Sequence, residues 1–178
     1  MTHTDWRLDL MAWHPRLFLV LADEPERSFG YPLCERGWRD ILVRLCRRIE
    51  AALRDGETFE FVRIKQKLGI LRVDWDAEAS EDTETTIGHA VDLAVARSAC
   101  TCEICGAEGR LYDNSGGLET RCTEHAAGDP VQPRYGHGFE NVRRLRRWRG
   151  QADVYYARYD RETDTLTEVS RPSAGDKE

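Results

Sequence analysis

The chain has 178 residues, 40% hydrophobic and 33% charged, with a net charge of −6 at pH 7. That length suits one domain with a small appended module and is enough to bury a real core. The acidic balance excludes a protein that coats nucleic acid with its whole surface, while leaving room for a local basic patch. No apolar run approaches the roughly 20 residues that cross a bilayer, and Asp5 and Asp9 interrupt the start where a secretory signal needs a basic and then an apolar stretch. A cytoplasmic setting is expected, in which six cysteines need not pair.

In chain order, the first apolar run is Leu17 to Ala22, between Pro15 and Pro25, expected as a short strand or a turn of helix on the core. From Gly37 a helix over 37–54 is predicted. Trp38, Ile41, Leu42, Leu45, Cys46, Ile49 and Leu53 fall on one stripe, Arg39, Arg44, Arg47, Arg48 and Arg54 lie off it, and Asp55-Gly56 ends it. Cys46 reads as a small buried hydrophobe, and Cys34 is ambiguous in the same way. Residues 59–75 predict a hairpin turning near Lys67, Leu68 and Gly69, with Val62, Ile64, Leu71, Val73 and Trp75 inward. Its other face then carries Arg63, Lys65, Lys67 and Arg72, a row that suits phosphate or an acidic partner but equally an ordinary solvated strand face. The acidic stretch 76–86 is expected to be a mobile loop. A helix over 86–98 follows, capped by Thr85 or Thr86, with Ile87, Val91, Ala94, Val95 and Ser98 as a stripe of small residues and His89 on the surface.

That helix leads into the most informative stretch. Cys102 and Cys105 form a Cys-x-x-Cys pair followed by Gly106, and Cys122 and His125 form a Cys-x-x-His pair. The loop between them carries four glycines with Asn114 and Ser115 as turn formers, so it can return on itself as a ribbon or hairpin. Three thiolates and one imidazole suit Zn²⁺, and a full set of four protein ligands leaves no position for a water nucleophile, so the predicted site is structural. A disulfide or free thiols are the alternative. A redox pair is disfavoured because no βαβ pattern surrounds it, and Cys100 lacks the knuckle spacing.

Residues 128–138 read as a linker, and 139–149 as a basic helix. Val142, Leu145 and Trp148 share one side of that helix, and Arg143, Arg144, Arg146 and Arg147 spread over the other. Such a surface suits an acidic protein, a nucleic-acid backbone or a membrane surface, or the chain's own acidic loop. A final hairpin is predicted from Val154 to Val169, with 171–178 as a frayed tail. The expected class is α+β. A small antiparallel sheet packs on two helices within 1–99, a zinc ribbon or knuckle occupies 100–127, and a helix–hairpin extension occupies 139–170.

Three blocks occur in order: "GWRDILVRLC" at 37–46, "RIKQKLGILRVD" at 63–74, and "CEICGAEG" at 102–109 completed by "TRCTEH" at 120–125. Together they resemble a family of small uncharacterised proteins of bacteria and their prophages, over about residues 11–126. The resemblance implies Cys102, Cys105, Cys122 and His125 as metal ligands, leaves Cys100 outside the motif, and includes Lys65, Lys67, Gly69 and Arg72 in its hairpin block without assigning them a role. This chain has Leu68 and Leu118 where the family has aromatic residues.

The function expected is a non-enzymatic, zinc-stapled interaction protein. It would bind a macromolecule, a protein rather than nucleic acid, through Lys65, Lys67 and Arg72 or through Arg143, Arg144, Arg146, Arg147 and Trp148. The resemblance makes host or phage proteins, including defence complexes, the natural partners. One rival is a nucleic-acid-binding zinc protein using Arg143 to Arg149. Another is a metal-finger nuclease, which the ribbon loop serves poorly because it holds Asp113 and Asn114 but no histidine to act as a base.

Overall fold

The computed structural model describes residues 5–132, 142–146 and 154–171. Its first element, α1 (Trp6–Trp13), was not expected from the sequence. Asp5 caps it by accepting the Arg7 N–H, and Trp6, Leu10 and Met11 are buried. The Arg7 guanidinium donates to the carbonyls of Pro32 and Cys34, which ties this helix to a two-residue strand, β1 (Pro32–Leu33). The run from Leu17 to Ala22 forms neither strand nor helix. Leu17 and Phe18 enter the core and the Leu17 carbonyl accepts the Phe61 N–H, but Leu19, Val20 and Leu21 are exposed.

The predicted amphipathic helix is α2 (Arg39–Ala52), entered through a 3-10 turn at Arg36–Trp38. Its stripe of Ile41, Leu42, Leu45, Cys46 and Ile49 is buried and continues the core from Trp38. Strands β2 (Thr58–Lys67) and β3 (Ile70–Glu78) form the predicted hairpin. Leu68 and Gly69 between them both adopt left-handed backbone, with φ of 54° and 80°, the geometry of a tight two-residue turn. The inward face differs from expectation. Val62 is an extra residue between the Phe61–Trp75 and Arg63–Asp74 pairs, and this bulge shifts the alternation, so Phe59 and Phe61 are buried in place of Val62, while Ile64 and Leu71 are buried as expected and Val73 and Trp75 pack against the core. Phe61 packs against both Phe18 and Phe59.

The acidic stretch is not a loop. It completes β3 and opens α3 (Glu81–Ser98), whose cap is Ser80 rather than Thr85 or Thr86. Ser80 Oγ accepts the Thr83 N–H, and Glu57 accepts both the Ser80 N–H and the Thr83 hydroxyl. Glu81, Asp82 and Glu84 thus sit in the first turn, where carboxylates oppose the positive end of the helix dipole. Helix α3 is buried along two sides. Ile87, Ala90, Val91 and Ala94 join the main core, while Leu93, Ala96 and Cys100 form a second cluster with Tyr159.

The metal-ligand loop is a ribbon of β4 (Arg110–Asn114) and β5 (Gly117–Arg121), as predicted. Part of the expected linker joins it, since β6 (Asp129–Pro130) pairs with β4. The expected basic helix is corrected over its described part: Val142–Arg146 is a strand, β7, paired with β8 (Val154–Asp160), which pairs in turn with β9 (Thr165–Val169). The extension is therefore a three-stranded sheet, and only its β8–β9 hairpin matches expectation. Arg147, Trp148, Arg149, the remaining linker and the predicted tail lie outside the described residues. Buried Asp164 pins this sheet to the core: it accepts from the Tyr159 hydroxyl and pairs with Arg48 of α2 at 2.7 Å and Arg97 of α3 at 3.5 Å. Among the described residues the fold is α+β with three three-stranded sheets, antiparallel except where β1 runs parallel to β2.

Candidate metal centre

Cys102, Cys105, Cys122 and His125 converge, with all four donor atoms within 4.8 Å of one another. Cys105 and Cys122 place their sulfurs 3.7 Å apart, and His125 Nδ1 lies 3.7 Å from the Cys102 sulfur and 3.2 Å from that of Cys122. Zinc–sulfur bonds of about 2.3 Å and zinc–nitrogen bonds of about 2.0 Å in a tetrahedron give donor separations of about 3.8 Å and 3.5 Å. The three spacings given lie within about 0.3 Å of those values, and none approaches a disulfide. Every cysteine of the chain is a free thiol.

Backbone bonds shape each half. The Gly106 N–H donates to the Cys102 carbonyl and the Cys102 N–H to that of Ala107, while the His125 N–H donates to Cys122. Burial works against ionising Cys102, but the N–H groups of Cys122, Cys105 and Ile104 around its sulfur bring it down to about 6. Cys105 is displaced the other way. The Ala107 N–H favours its thiolate, but slight desolvation and the Cys102 and Cys122 sulfurs beside it outweigh that and raise it. Three sulfurs and one imidazole nitrogen converging on one point fit a thiophilic divalent ion, which would favour the thiolate at each cysteine.

The three sequence blocks meet at this cluster. Gly37 lies against the knuckle and its N–H donates to the Glu103 carbonyl at 2.7 Å, while Trp38 Nε1 donates to the buried Thr101 carbonyl at 2.9 Å. The hairpin tip docks on the ribbon: Thr120 Oγ1 donates to the Gly69 carbonyl at 2.6 Å and Gln66 Nε2 to that of Leu118 at 2.8 Å. Leu68 is exposed at the turn. Between the halves runs a buried ion pair, Arg121 to Glu103 at 3.0 Å, and Glu103 also accepts the Glu35 N–H. Sequence reasoning missed this pair, because neither residue carries a periodic signal that distinguishes it from a surface charge.

Cys34, Cys46 and Cys100 are buried outside the cluster. Burial pushes the Cys34 thiol up to about 12 and also raises the other two, so all three stay protonated as small hydrophobes. Cys100 points its thiol at the Ala96 and Arg97 carbonyls. Asp113, considered for a nuclease, instead accepts the Gly116 N–H in the ribbon turn.

The cationic residues divide. Arg63, Lys65, Lys67 and Arg72 do lie on the outer side of the β2–β3 hairpin, but Arg63 and Arg72 share Asp74, leaving Lys65 and Lys67 as its more available charges. On β7, Arg144 is exposed, whereas Arg143 is half-buried near Asp92 and Cys100, and burial lowers its pKa. The Arg146 side chain, Arg147 and Trp148 are outside the described residues. Among the described residues no helix is long and apolar enough to cross a membrane. Compared with protein families, with curated proteins and with solved structures, the chain matches none.

Proposed function

We propose that the protein is a non-enzymatic, zinc-stapled binding protein that presents the outer face of the β2–β3 hairpin to an acidic protein partner. The observation that carries the reading is the position of the Cys₃His cluster, between the knuckle, to which Gly37 and Trp38 before α2 are hydrogen-bonded, and the ribbon, to which the hairpin tip is hydrogen-bonded. An ion held there by four side chains would join the two halves of the knuckle and leave no open coordination position to offer a substrate. Cys102, Cys105 and Cys122 act as thiolates and His125 supplies one imidazole nitrogen. Zn²⁺ suits this set because it imposes no electronic geometry of its own and takes sulfur and nitrogen together.

Fixing the hairpin fixes its cations. Lys65 and Lys67, with Arg72 beside them, then form a preorganised patch on a chain of opposite net charge, which favours discrimination by local field over general anion affinity. A protein partner suits this better than nucleic acid because the second basic segment turns Arg143 toward Asp92. The resemblance to bacterial and prophage proteins makes host or phage proteins the candidates.

Two measurements test this. Elemental analysis is expected to find one zinc per chain, with chelation lowering the melting temperature. A finding of no metal, or of a fold and partner binding indifferent to chelation, refutes the staple. Affinity capture with the wild type and with Lys65→Glu/Lys67→Glu is expected to lose an acidic partner in the variant, and equal recovery refutes the hairpin face.

A further inference from the structure

Beside the knuckle, on the side of the α2 start, is a cavity of about 430 Å³. Its walls come from segments remote in sequence: Arg36, Arg39 and Asp40 at the head of α2, Arg97 at the end of α3, Ile104 in the knuckle and Arg161 after β8. Four guanidiniums line it with one carboxylate, Asp40, which Arg44 already engages at 2.7 Å, and with Cys105 of the metal cluster; of the four, Arg97 is also paired with Asp164 at 3.5 Å. No side chain caps α2, so the positive end of its dipole adds to the same field.

Like charges in one cavity repel, and here the protein itself holds them in place. Arg161 donates to the Gly106 carbonyl, Arg97 donates to the Tyr159 hydroxyl and the Arg161 carbonyl, and the Arg39 guanidinium lies over the Trp13 ring. Despite these contacts, the Nε atoms of Arg97 and Arg161 are both buried without a hydrogen-bond acceptor. Those Nε atoms are sealed from solvent, so a ligand in the cavity would be met by the ends of the guanidiniums rather than by them. A carboxylate offers two oxygens on one edge, whereas a phosphate presents three or more around a compact dianion, which suits several guanidinium forks at once. The volume falls in the range of small-molecule sites, and half-exposed Ile104 gives one apolar surface for an organic part.

We propose that this cavity binds a small phosphorylated ligand, with its phosphate among Arg36, Arg39, Arg97 and Arg161 and its organic part against Ile104. The site is distinct from the hairpin face and goes beyond the staple role. It places a ligand-sensing element against the metal loop.

The test is isothermal titration of the full zinc-loaded chain, at about 0.1 M salt, with inorganic pyrophosphate, ADP and adenosine. Pyrophosphate and ADP are expected to bind with Kd at or below about 1 mM, ADP the tighter, and adenosine not to bind. Arg36→Ala and Arg39→Ala, which line the cavity but are not paired with Asp164, are each expected to weaken both by about tenfold, the loss of one charge-assisted contact. Zinc content and melting temperature should stay unchanged in both variants. The proposal is overturned if neither anion binds at millimolar concentration, if adenosine binds as well as ADP, or if both variants bind like the wild type. Loss of zinc during titration would instead indict the staple, and is read separately by elemental analysis.

Discussion

Gly37→Ala tests the docking of α2 on the metal loop most directly. A methyl group at this position would sit 2.3 Å from the Cys102 carbonyl oxygen and 2.4 Å from that of Glu103. Both are backbone atoms, so neither can swing aside as a side-chain tip would. Relief requires the head of α2 and the knuckle to part by about 1 Å to restore van der Waals distance. That separation breaks the Gly37 N–H bond to Glu103 and strands the Trp38 indole N–H, whose acceptor is the Thr101 carbonyl. Each bond contributes about 1 kcal/mol, and a buried donor left unpaired adds about 1–3 kcal/mol. The expected loss is about 3–5 kcal/mol, a large share of the 5–15 kcal/mol that holds an ordinary domain together. Urea unfolding followed by tryptophan fluorescence measures it, and competition with a chromophoric chelator should show weakened zinc binding. Gly56→Ala is the control, since Gly56 has φ of 84° with nothing within 4 Å of an added methyl. Its cost should be only about 1 kcal/mol of backbone strain, with zinc affinity unchanged. If Gly37→Ala costs no more than this control and binds zinc like the wild type, the docking argument is wrong.

Three further outcomes are expected. Cys105→Ser should abolish stoichiometric zinc by elemental analysis, whereas Cys100→Ser should retain it, because the Cys100 thiol is directed at helix carbonyls. Arg121→Met should destabilise the fold by about 3 kcal/mol in urea unfolding by leaving buried Glu103 uncompensated, and adding Glu103→Gln should recover much of the loss. Asp92 is the pH-dependent case, because burial raises its carboxyl to about 7 against a partial opposing effect of Arg143. The folded state keeps this proton when the unfolded chain has released it, so the group weakens the fold progressively from pH about 4 to about 7, and fully above that. Asp92→Asn should therefore leave stability unchanged near pH 4 and raise it at pH 8 by about 2 kcal/mol, roughly half the value of a fully shielded shift. Equal effects at both pH values would contradict the assignment.

Much of the site was legible because its information is local. Two ligands separated by two residues can reach one ion whatever surrounds them, and the glycine-rich stretch between the halves can turn only as a ribbon or loop. The stripe of α2 and the alternation of β8 were readable for the same reason, since spacing along one element decides which side chains share a face. The acidic segment was misread because its composition suggested solvent. Its place is set instead by Glu57, which is distant in sequence yet bonds to Ser80 and Thr83 at the head of α3. The run from Val142 was ambiguous in itself: Val142 and Leu145, both buried, are spaced as on a helix, and pairing with β8 makes the segment a strand.

Sequence alone thus picked out the four residues that converge as a Cys₃His cluster, the principal helix and the hairpins, each a matter of residues within a few positions of one another. Only the folded chain decided the bulge at Val62, the contact of Gly37 with the knuckle, the buried Glu103–Arg121 pair and the meeting of Arg36, Arg39, Arg97 and Arg161 around one cavity. Those depend on which distant segments bury surface against each other. That choice is governed by the free energy of the whole core, which no local pattern encodes.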